Sequence, residues 1–265
     1  MEIEIDLNKS VDENAGIYFD AAKKAKKKLE GAGKALRDTH NKLALLLQEE
    51  EKFLAEERQK QEERVIKSQR KKEWYEKFHW FFSSEGYLGV GGKDATTNEL
   101  VIKKHLEKDD LVFHTDIPGS PFFVVKNGQK AGEQTRLETA QIVAAYSRAW
   151  KLGATSVDVF CVLPDQVTKE AKAGEYMSKG SFMIYGKKTY YRPGLEIAIG
   201  SHEGKIITGP KAAVVNQTPH FVLVVPGEEK KSVLAKKIKH LLNGGDLDEF
   251  IRALPGDGKI VKSSG

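Results

Sequence analysis

Lys169, Lys172, Lys179, Lys187, Lys188 and Arg192 fall within one short interval that also holds Tyr176, Tyr185, Tyr190 and Tyr191. Cations neutralise phosphates and aromatic faces stack on unpaired bases, so this interleaving is what RNA binding needs. The plainer reading is that lysines solubilise hairpins and tyrosines fill strand faces. Composition alone leaves the two level. His114 and Asp116 lie two apart at the end of a strand-like run, where period-two geometry puts them on one face. A carboxylate so placed can orient an imidazole for general-base work. No serine or cysteine nucleophile is identifiable by spacing and no third metal ligand accompanies the pair. An RNA-facing or structural hydrogen-bonded pair is therefore expected, with no catalysis, cofactor or metal. Gly91-Gly92-Lys93-Asp94 lacks the Gly-x-x-x-x-Gly-Lys-Ser/Thr spacing of a phosphate loop and reads as a tight turn. Lys93 can still meet a phosphate from it, because an ammonium needs only to point outward.

Three stretches with different grammar hold these residues. Up to about Glu76 the chain is written as helix, with Ser10 or Asp12 able to cap its start. Ala22, Ala25, Leu29, Ala32, Leu36, Thr39, Leu43 and Leu46 recur at alternating spacings of three and four, a heptad seam that Phe53 continues and Glu50 interrupts. No glycine or proline falls between Gly33 and Gly86, so a continuous helix there would be roughly 75 Å long. An apolar stripe of that kind calls for a partner helix, supplied by a turn near Gln48 to Glu51 or by another chain, as in a homodimer. The basic runs Lys23 to Lys28 and Lys67 to Lys72 read equally as solvated faces or as tracks for a polyanion.

From Trp74 to about Ser201 the pattern is globular. Strands are expected at Tyr87–Val90, Asp110–His114, Phe122–Val125, Ser156–Leu163, Ser181–Tyr185 and Leu195–Ile199, with helices at Asn98–Leu106 and Arg136–Leu152. Trp74, Phe78, Trp80, Phe81 and Phe82 read as a core plug docking the arm's end. Beyond Lys205, Ala212–Val215 and Phe221–Val225 suggest strands, and Lys230–Leu242 and Asp246–Leu254 suggest helices. Strands with covering helices make the class α+β.

The formal net charge of +5 leans toward polyanions. One cysteine, Cys161, excludes a disulfide framework and fits a reducing compartment. Met1 to Asp6 alternates apolar and acidic residues, unlike a signal peptide, and no apolar stretch reaches the roughly 18 residues of a membrane span. A soluble, cytoplasmic protein is expected.

Several ordered blocks resemble one family. The run Trp74-Tyr75-Glu76-Lys77-Phe78-His79-Trp80-Phe81-Phe82-Ser83-Ser84-Glu85, then Gly91-Gly92-Lys93-Asp94-Ala95 and Asn98-Glu99, resembles the opening of the NFACT-R domain. Phe113 to Ser120, Gln166 to Lys169 and Gly174 to Lys188 keep that family's order. The Ile5-Asp6-Leu7 strand and the Lys-rich helix after it resemble the family's coiled-coil middle segment, and the last stretch resembles the tail of archaeal members. The resemblance implies a coiled-coil arm at 1–76, a mixed or antiparallel NFACT-R RNA-binding domain at 77–203 and a small αβ extension at 204–265. Members usually begin with an NFACT-N domain and a helix-hairpin-helix module, so the chain is expected to be the carboxy-terminal half of such a protein. Pro118 and Pro164-Asp165 stand where relatives often carry histidine, and no histidine role carries over there.

The resemblance further implies a ribosome quality-control factor. It would bind the stalled large ribosomal subunit, contact tRNA and rRNA, and support tRNA recruitment for untemplated tailing of nascent chains. Lys93, His114, Asp116, Lys169, Tyr176, Lys179, Lys187, Lys188 and Arg192 are the expected RNA contacts. The rival is a coiled-coil protein-interaction module with an incidental basic surface.

Overall fold

With nothing between Gly33 and Gly86 to stop it, the first helix α1 runs Val11–Gln69, passing through Gln48–Glu51 without a turn. This is a computed structural model describing residues 3–69, 73–169, 179–202 and 204–264. It divides into two compact units, Met1–Lys72 and Glu73–Gly265.

In the first unit Ser10 is the cap. Its hydroxyl accepts from Glu13 N at 3.2 Å, while the Glu13 carboxylate accepts from Ser10 N at 2.8 Å, a reciprocal capping box. The strand expected at Ile5-Asp6-Leu7 does not form. Asp6 N donates to the side chain of buried Asn14 at 2.9 Å, and a turn closes Lys9 N onto the Asp6 carbonyl. Local side-chain bonds have taken the backbone groups that a ladder would need. Leu29, Leu36, Leu43, Leu46 and Phe53 are all more than half exposed along α1, so the seam read from the sequence is present and uncovered within this unit.

The second unit is α+β. One antiparallel sheet holds β1 (His79–Phe82), β2 (Leu88–Gly91), β3 (Leu111–Thr115), β4 (Phe123–Val125), β5 (Val159–Val162) and β8 (Thr189–Tyr191) in the order β1-β2-β4-β3-β5-β8. A small hairpin pairs β6 (Val167–Thr168) with β7 (Met183–Ile184). The second sheet, also antiparallel, has the order β10-β9-β11-β12, from β9 (Ile197–His202), β10 (Lys205–Gly209), β11 (Phe221–Glu229) and β12 (Gly258–Ser264). The helices are α2 (Ala95–His105), α3 (Glu133–Tyr146), α4 (Arg148–Lys151), α5 (Lys211–Val215), α6 (Lys231–Leu241) and α7 (Leu247–Ala253). Strands β9 and β10 pair with one another, so the segments on either side of position 203 share one sheet.

Period-two alternation explains the layers. Phe113, Phe123 and Cys161 point to one side of the first sheet and meet Ala140, Ile142 and Val143 of α3. Val112, Val124 and Phe160 point to the other side and meet Val101 of α2 and Phe78. Ile197, Ile199, Val222 and Val224 of the second sheet close on the same core as α3. A helix gripped by two sheets needs apolar residues on more than one face, and the second half of α3 has them in Ala140, Ile142, Val143, Ala144 and Ala145. Of the aromatic plug, Phe78 and Phe81 are fully buried in this unit's cores and Trp74 stacks on His105 at 4.2 Å.

Strands β1, β8, β10 and β12 were not expected from the sequence, β12 forming where a loose tail from Lys259 was expected, and two further segments differ from its pattern. The helix expected over Arg136–Leu152 starts at Glu133 and breaks at Ser147, whose hydroxyl donates to Ala144 O at 2.7 Å and accepts from Ala149 N at 3.2 Å. A short hydroxyl side chain competes with the helix ladder in this way. Ala212–Val215 is a single helical turn rather than a strand, because the Pro210 carbonyl accepts Val214 N at 3.1 Å and turns Ala213 and Val214 inward. Among the described residues no helix is long and apolar enough to cross a membrane.

Candidate nucleic-acid interface

A cleft of about 720 Å³ opens where β2 runs into α2 and β3 runs into the Asp116–Pro121 loop. The turn into α2 is sterically specified. A Cβ on Gly91 would lie 2.2 Å from the Phe123 ring, and one on Gly92 would lie 2.1 Å from Asn98 Oδ1. Asp94 then caps α2 in a reciprocal box with Thr97, whose amide it accepts at 2.8 Å. Buried Asn98 braces the opposite wall. Its Oδ1 accepts from Phe122 N at 3.0 Å and its Nδ2 approaches the Ser120 carbonyl at 3.5 Å. The hydroxyls of Thr115 and Ser120, 2.5 Å apart, pull that wall closed from below. Gly180, at φ +79°, brings the third wall within 2.6 Å of Ala95 backbone as measured from its missing Cβ.

Five of the expected contacts line this cleft: Lys93, His114, Asp116, Lys179 and Lys188. His114 and Asp116 do not hydrogen-bond to one another. The His114 ring stacks on Phe122 at 3.9 Å, and its Nε2 lies 3.2 Å from the Ser120 carbonyl. That carbonyl can only accept, so the proton sits on Nε2. Asp116 faces the other way and accepts from Lys188 Nζ at 2.9 Å and from the Tyr190 hydroxyl at 3.2 Å. The ammonium of Lys188 also lies 4.0 Å from the centre of the Phe160 ring, a cation–π contact. Lys179 is exposed. Lys93 donates to the Lys77 carbonyl at 3.0 Å; its pKa is lowered, by burial first and by the charge of Arg252 next, with Asp94 opposing.

The other expected contacts are placed differently. Lys169 is ion-paired with Glu99 and sits over the Phe182 ring. Glu99 also holds Lys103, and hydrogen bonds from the two lysines bring its carboxyl down to about 2. Exposed Lys187 turns its carbonyl to Gln166 Nε2 at 3.1 Å and lies outside the cleft wall. Arg192 is exposed, 3.7 Å from Asp158, and also outside it. Tyr176 falls outside the described residues, as do Lys172 and most of the Gly174 to Lys188 block's first half. Sequence reasoning missed His79 and Tyr146, which stack at 3.8 Å and line the cleft. They lie 67 positions apart in the chain, and only the alternation of β1 hinted that His79 faces inward.

Both histidines are held neutral. Burial is the main cause, pushing His79 to about 3, with Lys93 and Lys231 adding, and His114 to about 4 against the pull of its backbone hydrogen bonds and Asp116. Neither ring therefore serves as a phosphate-binding cation near neutral pH. The unfolded chain takes up these protons as pH falls through about 6.5 and the folded chain does not. Stability is thus complete above that value and falls as pH drops toward the folded values, by up to about 1.4 kcal/mol per pH unit for each histidine. Urea melts at pH 7 and pH 5 are expected to show this loss, and His114→Asn is expected to shrink it. An unchanged difference would mean His114 titrates freely.

Among the described residues no group of three or more His, Cys, Asp or Glu side chains is placed to hold a metal ion. The model of the NFACT protein RNA binding domain matches residues 77–186, the segment that carries every cleft-lining residue named above except Lys188. The archaeal Rqc2 homolog aRqcH of Methanocaldococcus jannaschii is 40% identical over 205 residues, covering 74% of this chain and 30% of that protein. The human ribosome quality control complex subunit NEMF is 37% identical over 186 residues, 68% of this chain and 16% of its own length. The Drosophila melanogaster homolog of that subunit is 35% identical over 204 residues, 75% and 19%. The chain thus spans less than a third of each of these relatives.

Proposed function

The chain belongs to the NFACT family, and from that premise we propose that it is the RNA-binding portion of a cytoplasmic ribosome quality-control factor. One observation carries the reading: the segment matching the NFACT RNA-binding domain folds around a cleft that sets Lys93, Lys179 and Lys188 beside aromatic rings. Those are the groups that meet phosphates and stack on unpaired bases. On this proposal the cleft contacts tRNA or rRNA on the stalled large ribosomal subunit. It acts by positioning, as an adaptor, and supports tRNA recruitment for untemplated tailing of nascent chains.

The rival reading gives α1 the leading role. Its exposed Leu29, Leu36, Leu43, Leu46 and Phe53 favour contact with a second helix, in a homodimer or another protein. Co-sedimentation with isolated large ribosomal subunits across a salt series tests both. RNA contact is expected to weaken by about 10³-fold or more between 50 and 200 mM salt if six or more phosphates are met. Binding that holds as salt rises would instead favour the apolar seam, since screening leaves it untouched. A folded chain that stays in the supernatant at every salt concentration would overturn the ribosome-binding proposal.

A further inference from the structure

Several cations in and near the cleft are already neutralised by the protein. Lys169 has Glu99, Lys188 has Asp116, and Lys126 has the fully buried Asp110 at 2.6 Å. Others are not, and besides Lys179 four of them stand out. Lys93, Lys151, Lys231 and Arg252 make no ion pair among the described residues.

The fold brings these four together from four separate elements. Tyr146, in the cleft lining, donates its hydroxyl to the Ala253 carbonyl at 2.6 Å, which fixes the end of α7 and its exposed neighbour Arg252 beside the cleft. Trp150 Nε1 donates to the Asp257 carbonyl at 2.8 Å, while Asp257 Oδ1 accepts the backbone amide of Lys231 at 2.8 Å. Those two bonds tie α4, with Lys151, to the first residue of α6. Gly256 lies under the Trp150 ring, and a Cβ there would also meet Lys151 Cγ at 3.9 Å. The charges feel one another accordingly: after burial, Arg252 is the next cause of the lowered pKa of Lys93, and Lys151 of that of Lys231. Two carboxylates offset part of this repulsion without forming an ion pair, Asp94 for Lys93 and Asp257 for Lys231, while also capping α2 and accepting the Lys231 amide.

Like charges gathered in this way repel and destabilise the free protein, and a polyanion lying across them removes that penalty. We propose that Lys93, Lys151, Lys231 and Arg252 form a phosphate-binding cluster that carries the RNA interface out of residues 77–186 and onto α4, α6 and α7, where it takes the phosphodiester backbone of RNA without reading its bases. The proposal rests on the RNA-binding reading above and names a second surface for it. Phosphate contacts of this kind set register and affinity while base contacts set sequence preference.

The test is fluorescence anisotropy of a labelled tRNA transcript against the full chain between 50 and 200 mM salt. The double variant Lys231→Gln, Arg252→Gln is compared with wild type and with Lys236→Gln, Lys239→Gln, which removes the same charge from exposed positions of α6. The first variant is expected to bind about ten-fold more weakly, with a salt slope lower by roughly 1.4 to 1.8, two phosphate contacts' worth. Its melting temperature should stay level or rise, because repulsion has been relieved, and a fall in Tm alongside the lost affinity would point to a structural role and overturn the cluster. Affinity and slope equal to wild type, or a loss no greater than in the second variant, overturns it as well. Wild-type chain that does not bind the transcript at 50 mM salt overturns the RNA-binding reading and the cluster together. Displacement of the transcript by polyglutamate as effectively as by unlabelled tRNA would reassign the cluster to acidic protein segments and overturn the RNA assignment.

Discussion

Gly92→Ala is expected to destabilise the second unit by about 3 kcal/mol, at the upper end of what overpacking costs. The added methyl would lie 2.1 Å from Asn98 Oδ1, 2.6 Å from Asn98 N and 2.7 Å from Asn98 Cα. Two of those three atoms are backbone in the first turn of α2, so no flexible side-chain end can move aside. Relief requires shifting α2 itself, and with it the bond from Phe122 N to Asn98 that braces the facing loop. An orphaned buried amide adds its own penalty of about 1–3 kcal/mol where that bond is lost. In a unit of this size each kcal/mol moves Tm by roughly 2–4 °C, so a fall of about 6–12 °C is expected. Tryptophan fluorescence reports it cleanly, because Trp74, Trp80 and Trp150 all belong to the second unit and none to α1. RNA affinity should fall too, since the same turn carries Lys93. Gly86→Ala is the control: its φ of +86° is strained for alanine, yet nothing lies within 4 Å of the new methyl. Its cost should be near 1–2 kcal/mol, the left-handed penalty alone. Equal losses from the two changes would refute the steric account of the Gly91-Gly92 turn.

That turn shows where the sequence is readable and where it is not. Two adjacent glycines announce a bend, but which atoms forbid a side chain at Gly92 depends on Asn98 folding back one helical turn later. The strands at 111–115, 123–125 and 159–162 were legible because alternation is a local property that a buried sheet imposes directly. The break at Ser147 and the single turn at Lys211–Val215 were not, since each is decided by one hydroxyl or one carbonyl competing for a backbone partner. The long helix was legible through its missing glycines and prolines, as was the family through its ordered blocks. Lys93, His114, Asp116, Lys179 and Lys188 were recognised as residue types and do meet in one cleft. Their pairings were hidden, because Asp116 and Lys188 are 72 residues apart and come together only through β3, β5 and β8. The four unpaired cations were hidden more deeply still, three of them lying in segments that the charge pattern near residue 180 gave no reason to connect with it.

The hidden pairing of Asp116 reverses the sign of one effect. A carboxylate expected to face RNA proves to be the counter-ion of Lys188 and the acceptor for Tyr190. Asp116→Asn is therefore expected to strengthen RNA binding by about three- to five-fold and to steepen the salt slope by close to one unit, because it frees one cation for phosphate. Asparagine keeps an acceptor for Lys188 and a donor for Tyr190, so the wall should hold its shape. The ion pair is partly exposed on both sides, and its loss should cost less than about 1 kcal/mol of stability. Lys188→Ala is expected to weaken binding only a few-fold and to leave the slope nearly level, because the wild-type ammonium is already balanced by Asp116. In the double variant the gain from Asp116→Asn should vanish, since the cation it would release is gone. Anisotropy titrations of the four proteins at two salt concentrations give the whole cycle. Weaker binding by Asp116→Asn would show that the carboxylate itself touches RNA, as acceptor for a base or a 2′-hydroxyl. A gain that survives without Lys188 would show that Asp116 acts only through the general field of the cleft. Only a gain that depends on Lys188 identifies Asp116 as the group that holds this lysine in reserve, leaving it neutralised until a phosphate competes for it.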